Sequence, residues 1–361
     1  MNLFRMAGSY LDPYQPSFLI LFVTSRCNAS CEFCFYAREV EDTRRKVQEL
    51  STDEMISISR NCGVIPYLLI SGGEPVLRDD LFTVISAFIE NAHSQFITIP
   101  SNGLNPRRSY DLFSKLTAKY PGSHFRAALS VDYSDHRHDN LRGVQGCLEI
   151  IQNTAERIRS LRRNRNNLTL DVVTVYTNDP DQDHCEIRKW VEEKIAPDNH
   201  ELHVLRPEWP DLIVDGLNVQ DFLKNIAIYR NNSDRKKESR PFSSFFRALN
   251  GLYIKNIQNI IDRNRISPCK AGRKITVIDD TGKVKLCEYR NEILGDLRSS
   301  DYSLKKILKD SRKRLKSKDI TCCSCTWECA VSCNIVTDVT LFPALSAQIL
   351  KNIFMRKTDS K

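Results

Sequence analysis

The sequence predicts an α/β protein: a parallel sheet built from six strand–helix repeats, followed by a small cysteine-rich α+β unit. Three observations carry that expectation. Between about residue 15 and residue 207, short apolar runs alternate six times with longer stretches of helical periodicity, which is the pattern of parallel β/α units. Three cysteines lie close together directly after the first of those runs. Seven of the 13 cysteines fall in the last third of the chain.

Size and composition set the frame. With 361 residues the chain is long enough for one large domain and a smaller one. Apolar residues make up 41% and charged residues 27%, an ordinary balance for a chain with a sizeable core. No apolar stretch approaches the roughly 18 residues of a membrane span. The first residues, Met1 to Met6, lack the charged-then-apolar layout of a signal peptide, so the expected location is cytoplasmic. In a reducing compartment, so many cysteines point to metal or redox chemistry rather than disulfides. The net charge of +8 comes from short scattered runs such as Arg162-Arg163, Arg235–Lys237 and Lys313–Lys316, with acidic residues among many of them. Such runs read as solvated surface, and no nucleic-acid partner is expected.

The strands are expected at 17–24, 67–70, 95–99, 124–131, 168–176 and 201–205. Between them lie amphipathic stretches such as Leu148 to Ile158, where Leu148, Ile151, Ala155 and Ile158 recur at helical spacing. In sheets of this kind ligands sit at the C-terminal ends of the strands, so the motifs should follow strands. The first does: Cys27, Cys31 and Cys34 follow the apolar run 18–23 and the link Thr24 to Arg26. Three thiolates on one short loop bind three irons of a [4Fe–4S] cluster and leave the fourth iron without a protein ligand. A structural zinc site competes, since Cys-x2-Cys pairs serve zinc as well. Zinc would want a fourth ligand nearby, and the next cysteine or histidine is Cys62, which reads as part of a helix core. After strand two comes Ser71-Gly72-Gly73-Glu74-Pro75, where paired glycines allow close backbone approach.

The three-cysteine spacing, with Phe33 before the third cysteine and Gly72–Pro75 about 40 residues further on, resembles the radical SAM superfamily. That resemblance implies a partial (β/α)6 barrel whose open iron chelates the amino and carboxylate groups of S-adenosylmethionine (SAM). It implies reductive cleavage to a 5′-deoxyadenosyl radical that takes hydrogen from a substrate, with an electron donor such as flavodoxin or ferredoxin as partner. It also implies roles for residues at the barrel mouth. Phe33 would pack beside the adenine, and Gly72, Gly73, Glu74 and Pro75 would hold the amino group. After strand three, Asn102, and at the end of strand four, Ser130 and Asp132, are suited to the ribose hydroxyls. Their other reading is a helix cap or turn. Arg142 would pair with the SAM carboxylate, a bidentate task for a guanidinium fork; a surface ion pair with Asp139 is the alternative.

The remainder reads as a connector and a metal-binding unit. Residues 208–265 are polar and helical, with a stretch at 231–239 expected to be flexible. Cys269 precedes a β-hairpin over 274–286 that turns at Gly282, and Cys287 follows it. After Leu294–Leu297 and a basic helix come Cys322, Cys323, Cys325, Cys329 and Cys333. This arrangement resembles the twitch and SPASM extensions of radical SAM enzymes, which hold one or two auxiliary iron–sulfur clusters. The expected organisation is a barrel at 1–207, a helical connector at 208–265, an auxiliary iron–sulfur domain at 266–335 and a helical tail at 336–361. The final run departs from the usual Cys-x2-Cys-x5-Cys-x3-Cys pattern, and seven cysteines fall short of two four-cysteine sites. The expected ligand set is Cys269, Cys287, Cys322 and Cys325 for one auxiliary cluster, with Cys329 and Cys333 as alternatives. A second cluster would need an open or non-cysteine ligand. A zinc ribbon is the competing structural reading.

The expected activity is that of a radical SAM oxidoreductase, the auxiliary cluster accepting an electron and Glu288 beside Cys287 serving as a possible base. An epimerase is an alternative, with Cys147 or Cys185 as hydrogen donor, since both fall near helix N-termini that would lower a thiol pKa; a buried, inert thiol is the commoner outcome at such positions. A non-catalytic iron–sulfur electron-transfer or scaffold protein is another. Only about 15 residues precede the first strand, too few for a leader-binding domain. That tilts the expected substrate toward a small molecule or sugar-like compound, with peptide or protein modification kept open.

Overall fold

The computed structural model describes residues 12–205, 218–236, 243–262, 269–290, 292–314 and 326–341, with short pieces at 343–344 and 346–347. Six parallel strands form where the apolar runs lie: β1 Phe18–Thr24, β2 Tyr67–Gly72, β3 Phe96–Ser101, β4 His124–Ser130, β5 Leu168–Tyr176 and β6 Asn199–Val204. Three further strands follow, β7 Ile275–Ile278, β8 Lys283–Lys285 and β9 Ile293–Asp296. All belong to one nine-stranded sheet, ordered β6-β5-β4-β3-β2-β1-β7-β8-β9. The expected hairpin therefore does not stand apart. β7 pairs in parallel with β1, with Phe18 opposite Ile275 and Leu21 opposite Ile278, and only then turns back into antiparallel β8.

Burial explains why the strands read as continuous apolar runs. β1 is buried from Leu19 to Thr24, because a parallel sheet is covered on both faces. On the outer face, Leu19, Leu21 and Val23 pack with Met55, Ile58, Val84, Ile85 and Phe88 of the flanking helices. On the inner face, Ile20 and Phe22 pack with Leu69, Ile275, Val277 and Trp327. Each fully buried aliphatic side chain contributes about 1.5–3 kcal/mol. The helices begin where local chemistry directs: Ser51 and Glu54 form a reciprocal capping box at the start of Thr52–Asn61. Asn105 caps Pro106–Lys119, with proline at the first helical position.

The connector forms two helices, Val219–Lys236 and Ser243–Ile261. The stretch expected to be flexible is thus helical through residue 236; residues 237–239 lie outside the described residues. Phe222, Ile226 and Tyr229 from the first helix and Tyr253 and Ile257 from the second cover Leu202 and Val204 of β6.

The helix Glu328–Thr337 joins the two ends of the open barrel. Ala330 and Cys333, with Trp327 just ahead of them, pack in the inner cluster beside β1 and β7. Val331 and Ile335 pack in the cluster beside β6. The helix is apolar on both sides because it is buried on both sides. Glu328 also accepts a hydrogen bond from Val204 N at 3.2 Å, pairing a backbone donor of the edge strand β6.

Candidate functional site

The cysteine loop leaves β1 and is tied down at both ends. Glu49 Oε1 accepts from Thr24 Oγ1 at 2.8 Å and from Ser25 N at 2.7 Å. Further along, Ser30 N and Glu32 N donate to the carbonyls of Arg142 and Leu141. Gly143 sits against this stitch with φ +64, and a Cβ there would meet Ser30 Oγ at 2.1 Å. Cys27, Cys31 and Cys34 are all partly exposed and free of disulfides.

Arg142 Nη1 lies 3.4 Å from Cys31 Sγ. Burial pushes the Cys27 thiol up to about 11 and raises Cys34, outweighing the nearby backbone N–H groups that act the other way. As free thiols these two stay protonated near neutrality, so their thiolate form calls for a metal. Cys62 shows the opposite pattern. It is buried and donates to Ser59 O and Gly63 O, as an inert core thiol does. Sulfur that accepts N–H donors at the sheet's C-terminal edge fits iron–sulfur ligation.

The glycine pair has a specific reason. Gly72 has φ +121, and a Cβ there would lie 2.3 Å from Thr24 O; a Cβ on Gly73 would lie 2.3 Å from Arg26 O. Gly73 N and Glu74 N donate to Thr24 O and Arg26 O, both at 2.8 Å. The glycines thus lie flat on the backbone that leads into the cysteines, so close approach to their own chain requires them. Pro75 is buried and opens a short 3-10 turn, Pro75–Leu77.

Glu74 is 2% exposed. Its Oε1 accepts from Ser101 Oγ at 2.9 Å, and its Oε2 accepts from Asn102 N at 2.7 Å, linking the ends of β2 and β3. Burial raises its carboxyl to about 7, outweighing these donors and the nearby Arg142 guanidinium. Asn102 Nδ2 donates to Asn28 Oδ1 at 2.9 Å and so ties the β3 motif to the cysteine loop. Ser130 is partly exposed at the end of β4.

Arg142 and Asp132 correct two expectations. The alternative partner Asp139 is used elsewhere: it caps the helix Cys147–Arg162, accepting from Gly146 N at 2.7 Å and Cys147 N at 2.9 Å. Arg142 is instead buried, with Nη2 on Asp132 Oδ2 and its guanidinium 5.5 Å from the centre of the Phe33 ring. Its Nε is buried without a protein acceptor, an opening for an anionic ligand group. Asp132, expected at ribose hydroxyls, has no exposure, and its Oδ1 accepts from Val175 N at 2.9 Å. It anchors the arginine instead.

Cys147 is a buried thiol, as the sequence favours over a hydrogen donor. It lies at the start of Cys147–Arg162, yet it is fully buried in the outer core, and burial pushes its thiol up to about 12. Desolvation outweighs the helix terminus there. Cys185 is exposed near the start of His184–Trp190.

Four C-terminal cysteines fall within the described residues. Cys269, Cys287 and Cys333 are buried in the inner cluster, with Cys329 packed against it. Cys269 Sγ accepts from Ala271 N at 3.5 Å and Cys287 Sγ from Arg290 N at 3.3 Å. Cys322, Cys323 and Cys325 lie outside the described residues, so the expected set is placed only for Cys269 and Cys287, with the alternatives Cys329 and Cys333 beside them. Among the described residues, no three histidine, cysteine or acidic side chains converge as they would on a single ion. Glu288 is half-buried, and Arg290 forks onto Glu292 rather than onto Glu288.

Sequence reading missed the polar interior of the barrel. Arg126 on β4 bridges Asp171 on β5 and Glu201 on β6, the latter at 2.7 Å. His203 Nε2 lies 3.4 Å from Glu201 Oε2, and its Nδ1 lies 3.9 Å from Glu328 Oε2. Burial would raise the Glu201 carboxyl, but the Arg126 guanidinium and the His203 bond hold it well below its ordinary value. The available signal was a set of charged residues inside strands, at spacing two within β6.

Residues 21–191 match the model of the radical SAM superfamily. The sporulation killing factor maturation protein SkfB of Bacillus subtilis is 29% identical over 160 residues, which are 43% of this chain and 35% of SkfB. Pre-heme d1 synthase of Dinoroseobacter shibae is 29% identical over 35% of this chain and 30% of its own length. The chain thus matches about a third of these curated relatives. Among solved structures, native anSMEcpe with bound AdoMet has a TM-score of 0.55 at 16% identity, covering 96% of this chain and 99% of that one. Streptococcus suis SuiB bound to precursor peptide SuiA has a TM-score of 0.52 at 17% identity, covering 80% and 65%. Residues 21–191 are a radical SAM domain, whose cofactors are a [4Fe–4S] cluster and SAM.

Proposed function

We propose that this radical SAM domain works as an oxidoreductase on a polypeptide substrate held in the barrel interior, with an auxiliary iron–sulfur site at the C-terminal cysteines. The observation that supports it is the inner cluster. Cys34 from the first loop, and Cys269, Cys287, Cys329 and Cys333, all pack around the same core that contains Ile20, Phe22 and Trp327. Two sulfur sites sharing one core suit short-range electron transfer beside a common substrate space. When bound, the two iron–sulfur groups supply the reductive cleavage of SAM to a 5′-deoxyadenosyl radical and an acceptor for the electron that an oxidised substrate gives up.

The chain's own residues supply orientation and proton handling. Cys27, Cys31 and Cys34 hold the first cluster. Arg142, fixed by Asp132, presents its Nε to the SAM carboxylate. The carboxyl of Glu74 and the backbone of Gly72 and Gly73 receive the amino group, Phe33 packs by the adenine, and Asn102 and Ser130 lie by the ribose. The Arg126–Asp171–Glu201 group makes the interior polar. His203, between Glu201 and Glu328, is placed to take the proton that leaves with oxidation. It supersedes Glu288 as the preferred base. The substrate class rests on the relatives, whose names include a maturation protein and a precursor-peptide complex. For that reason we prefer a polypeptide to the small molecule or sugar-like substrate that the sequence suggests. The epimerase reading loses Cys147, which is sealed in the outer core, and keeps only Cys185.

The test is a Cys269→Ala/Cys287→Ala variant, reconstituted anaerobically beside wild type. Iron and sulfide falling by one four-iron cluster, with SAM cleavage retained, is the expected result. Unchanged iron content would contradict the auxiliary site.

A further inference from the structure

The segment 12–15, which leads into β1 at the end opposite the cysteine loop, gathers cations from two other parts of the chain. Lys274, just ahead of β7, donates through Nζ to Asp12 O at 2.8 Å and to Gln15 O at 3.2 Å. Lys305, on the helix Leu304–Arg314, pairs with Asp12 Oδ2 at 2.8 Å. Two turns further along that helix, and so on the same side of it, Arg312 lies over Tyr14, its guanidinium 4.6 Å from the ring centre. Arg273 comes from the tight turn before β7, where Gly272 takes φ +65 and the amides of Arg273 and Lys274 both donate to Lys270 O.

The charges here do not balance. Asp12 supplies a carboxylate, but both its oxygens are in use: Oδ1 accepts from Tyr14 N at 2.8 Å, and Oδ2 holds Lys305. Arg273 and Arg312 are half-buried, and each has a buried Nε with no acceptor among the described residues. Burial, and next the Arg273 guanidinium, pull Arg312 below its ordinary value, as like charges held together do. A basic helix face is usually solvated surface, and Lys306 and Lys309, exposed on the same helix, read that way. Arg312 does not, because its guanidinium is fixed on a ring and an inner N–H is shut off from water. Cations held partly buried without a counter-charge are costly until an anion joins them.

We propose that Arg273 and Arg312, with Lys305 beside them, form a binding site for the phosphate group of a small soluble compound. A phosphate brings up to two negative charges and enough oxygens to take a guanidinium fork from each arginine, whereas a carboxylate brings one charge and two oxygens. The turn before β7 and the helix Leu304–Arg314 each supply one fork, so the bound group would also tie these two elements together. No cluster and no SAM takes part in this site. Its failure would leave the radical SAM reading untouched, and failure of that reading would leave this site standing.

The test is thermal unfolding of the full chain, anaerobically reconstituted and titrated with inorganic phosphate at constant ionic strength, with acetate as the carboxylate control. Phosphate should raise the midpoint saturably in wild type, as a ligand of the folded state does, and acetate should not. Arg312→Gln and Arg273→Gln should each need at least about tenfold more phosphate for the same rise, the loss of one charge-assisted fork. Lys309→Gln, which removes a charge from the exposed side of the same helix, should behave as wild type. No phosphate effect in wild type, an equal effect of acetate, or an equal loss in Lys309→Gln overturns the proposal. Should Arg312→Gln fail to fold, Arg273→Gln decides by the same criterion, since it lies on a separate element.

Discussion

Glu74 gives a pH signature that can be calculated. Its carboxyl, ordinarily at 4.5, is raised to about 7 by burial in the folded protein. A gap of about 2.5, at about 1.36 kcal/mol per pKa unit, amounts to about 3 kcal/mol. Because the folded value is the higher one, the folded state holds this proton more tightly than the unfolded chain. Glu74 therefore adds stability below pH 4.5 that is lost as pH rises through about 7. Glu74→Gln removes the titration but also spoils one of the bonds from Ser101 and Asn102, a fixed loss of about 1–3 kcal/mol. The difference between two pH values cancels that loss. Urea unfolding of reduced, metal-free wild type and Glu74→Gln at pH 5 and pH 8 should show the variant gaining about 2.5 kcal/mol relative to wild type at the higher pH, since a small part of the effect is already spent at pH 5. Stability curves that stay parallel would refute the reasoning. The functional corollary is that an ammonium group seated at Glu74 expels the proton. SAM binding at pH 6 should then release protons, measured by calorimetry in buffers of different ionisation enthalpy.

Other outcomes follow from the same geometry. Gly73→Ala places a methyl group 2.3 Å from Arg26 O, so it should cost about 1–3 kcal/mol in urea unfolding and displace the cysteine loop enough to weaken SAM binding by equilibrium dialysis. Asp132→Asn keeps the shape but leaves the buried Arg142 guanidinium without its paired carboxylate. A loss of about 3–5 kcal/mol is expected, and it should fall to near zero in an Arg142→Met/Asp132→Asn double variant.

The sheet was legible because parallel strands covered on both faces become plain apolar runs, and all six barrel strands lie where those runs do. The pairing of β7 with β1 was not, since nothing local in Ile275–Ile278 distinguishes a free hairpin from one docked on a strand some 250 residues earlier. The cysteine loop was visible in its spacing, but the partner of Arg142 was not. Asp139, three residues away on the same helix, is the natural guess from helical geometry, yet it turns to cap the next helix. At Cys147 the rule that a helix N-terminus lowers a thiol pKa met a deeper burial than periodicity reveals. Arg126, Asp171, Glu201 and His203 come from three neighbouring strands, and the pairing of β4 with β5 and of β5 with β6, not local sequence, brings them together. Glu328 reads as an ordinary residue beside a cysteine until the helix Glu328–Thr337 is seen to span from β1 and β7 to β6.

The most direct test of the account is 5′-deoxyadenosine release from SAM by anaerobically reconstituted, dithionite-reduced protein, run beside a Cys27→Ala/Cys31→Ala/Cys34→Ala variant. The account predicts release by wild type and none by the variant. Iron-loaded wild type that binds SAM at its reduced cluster yet releases no 5′-deoxyadenosine, with or without added peptide, would contradict it.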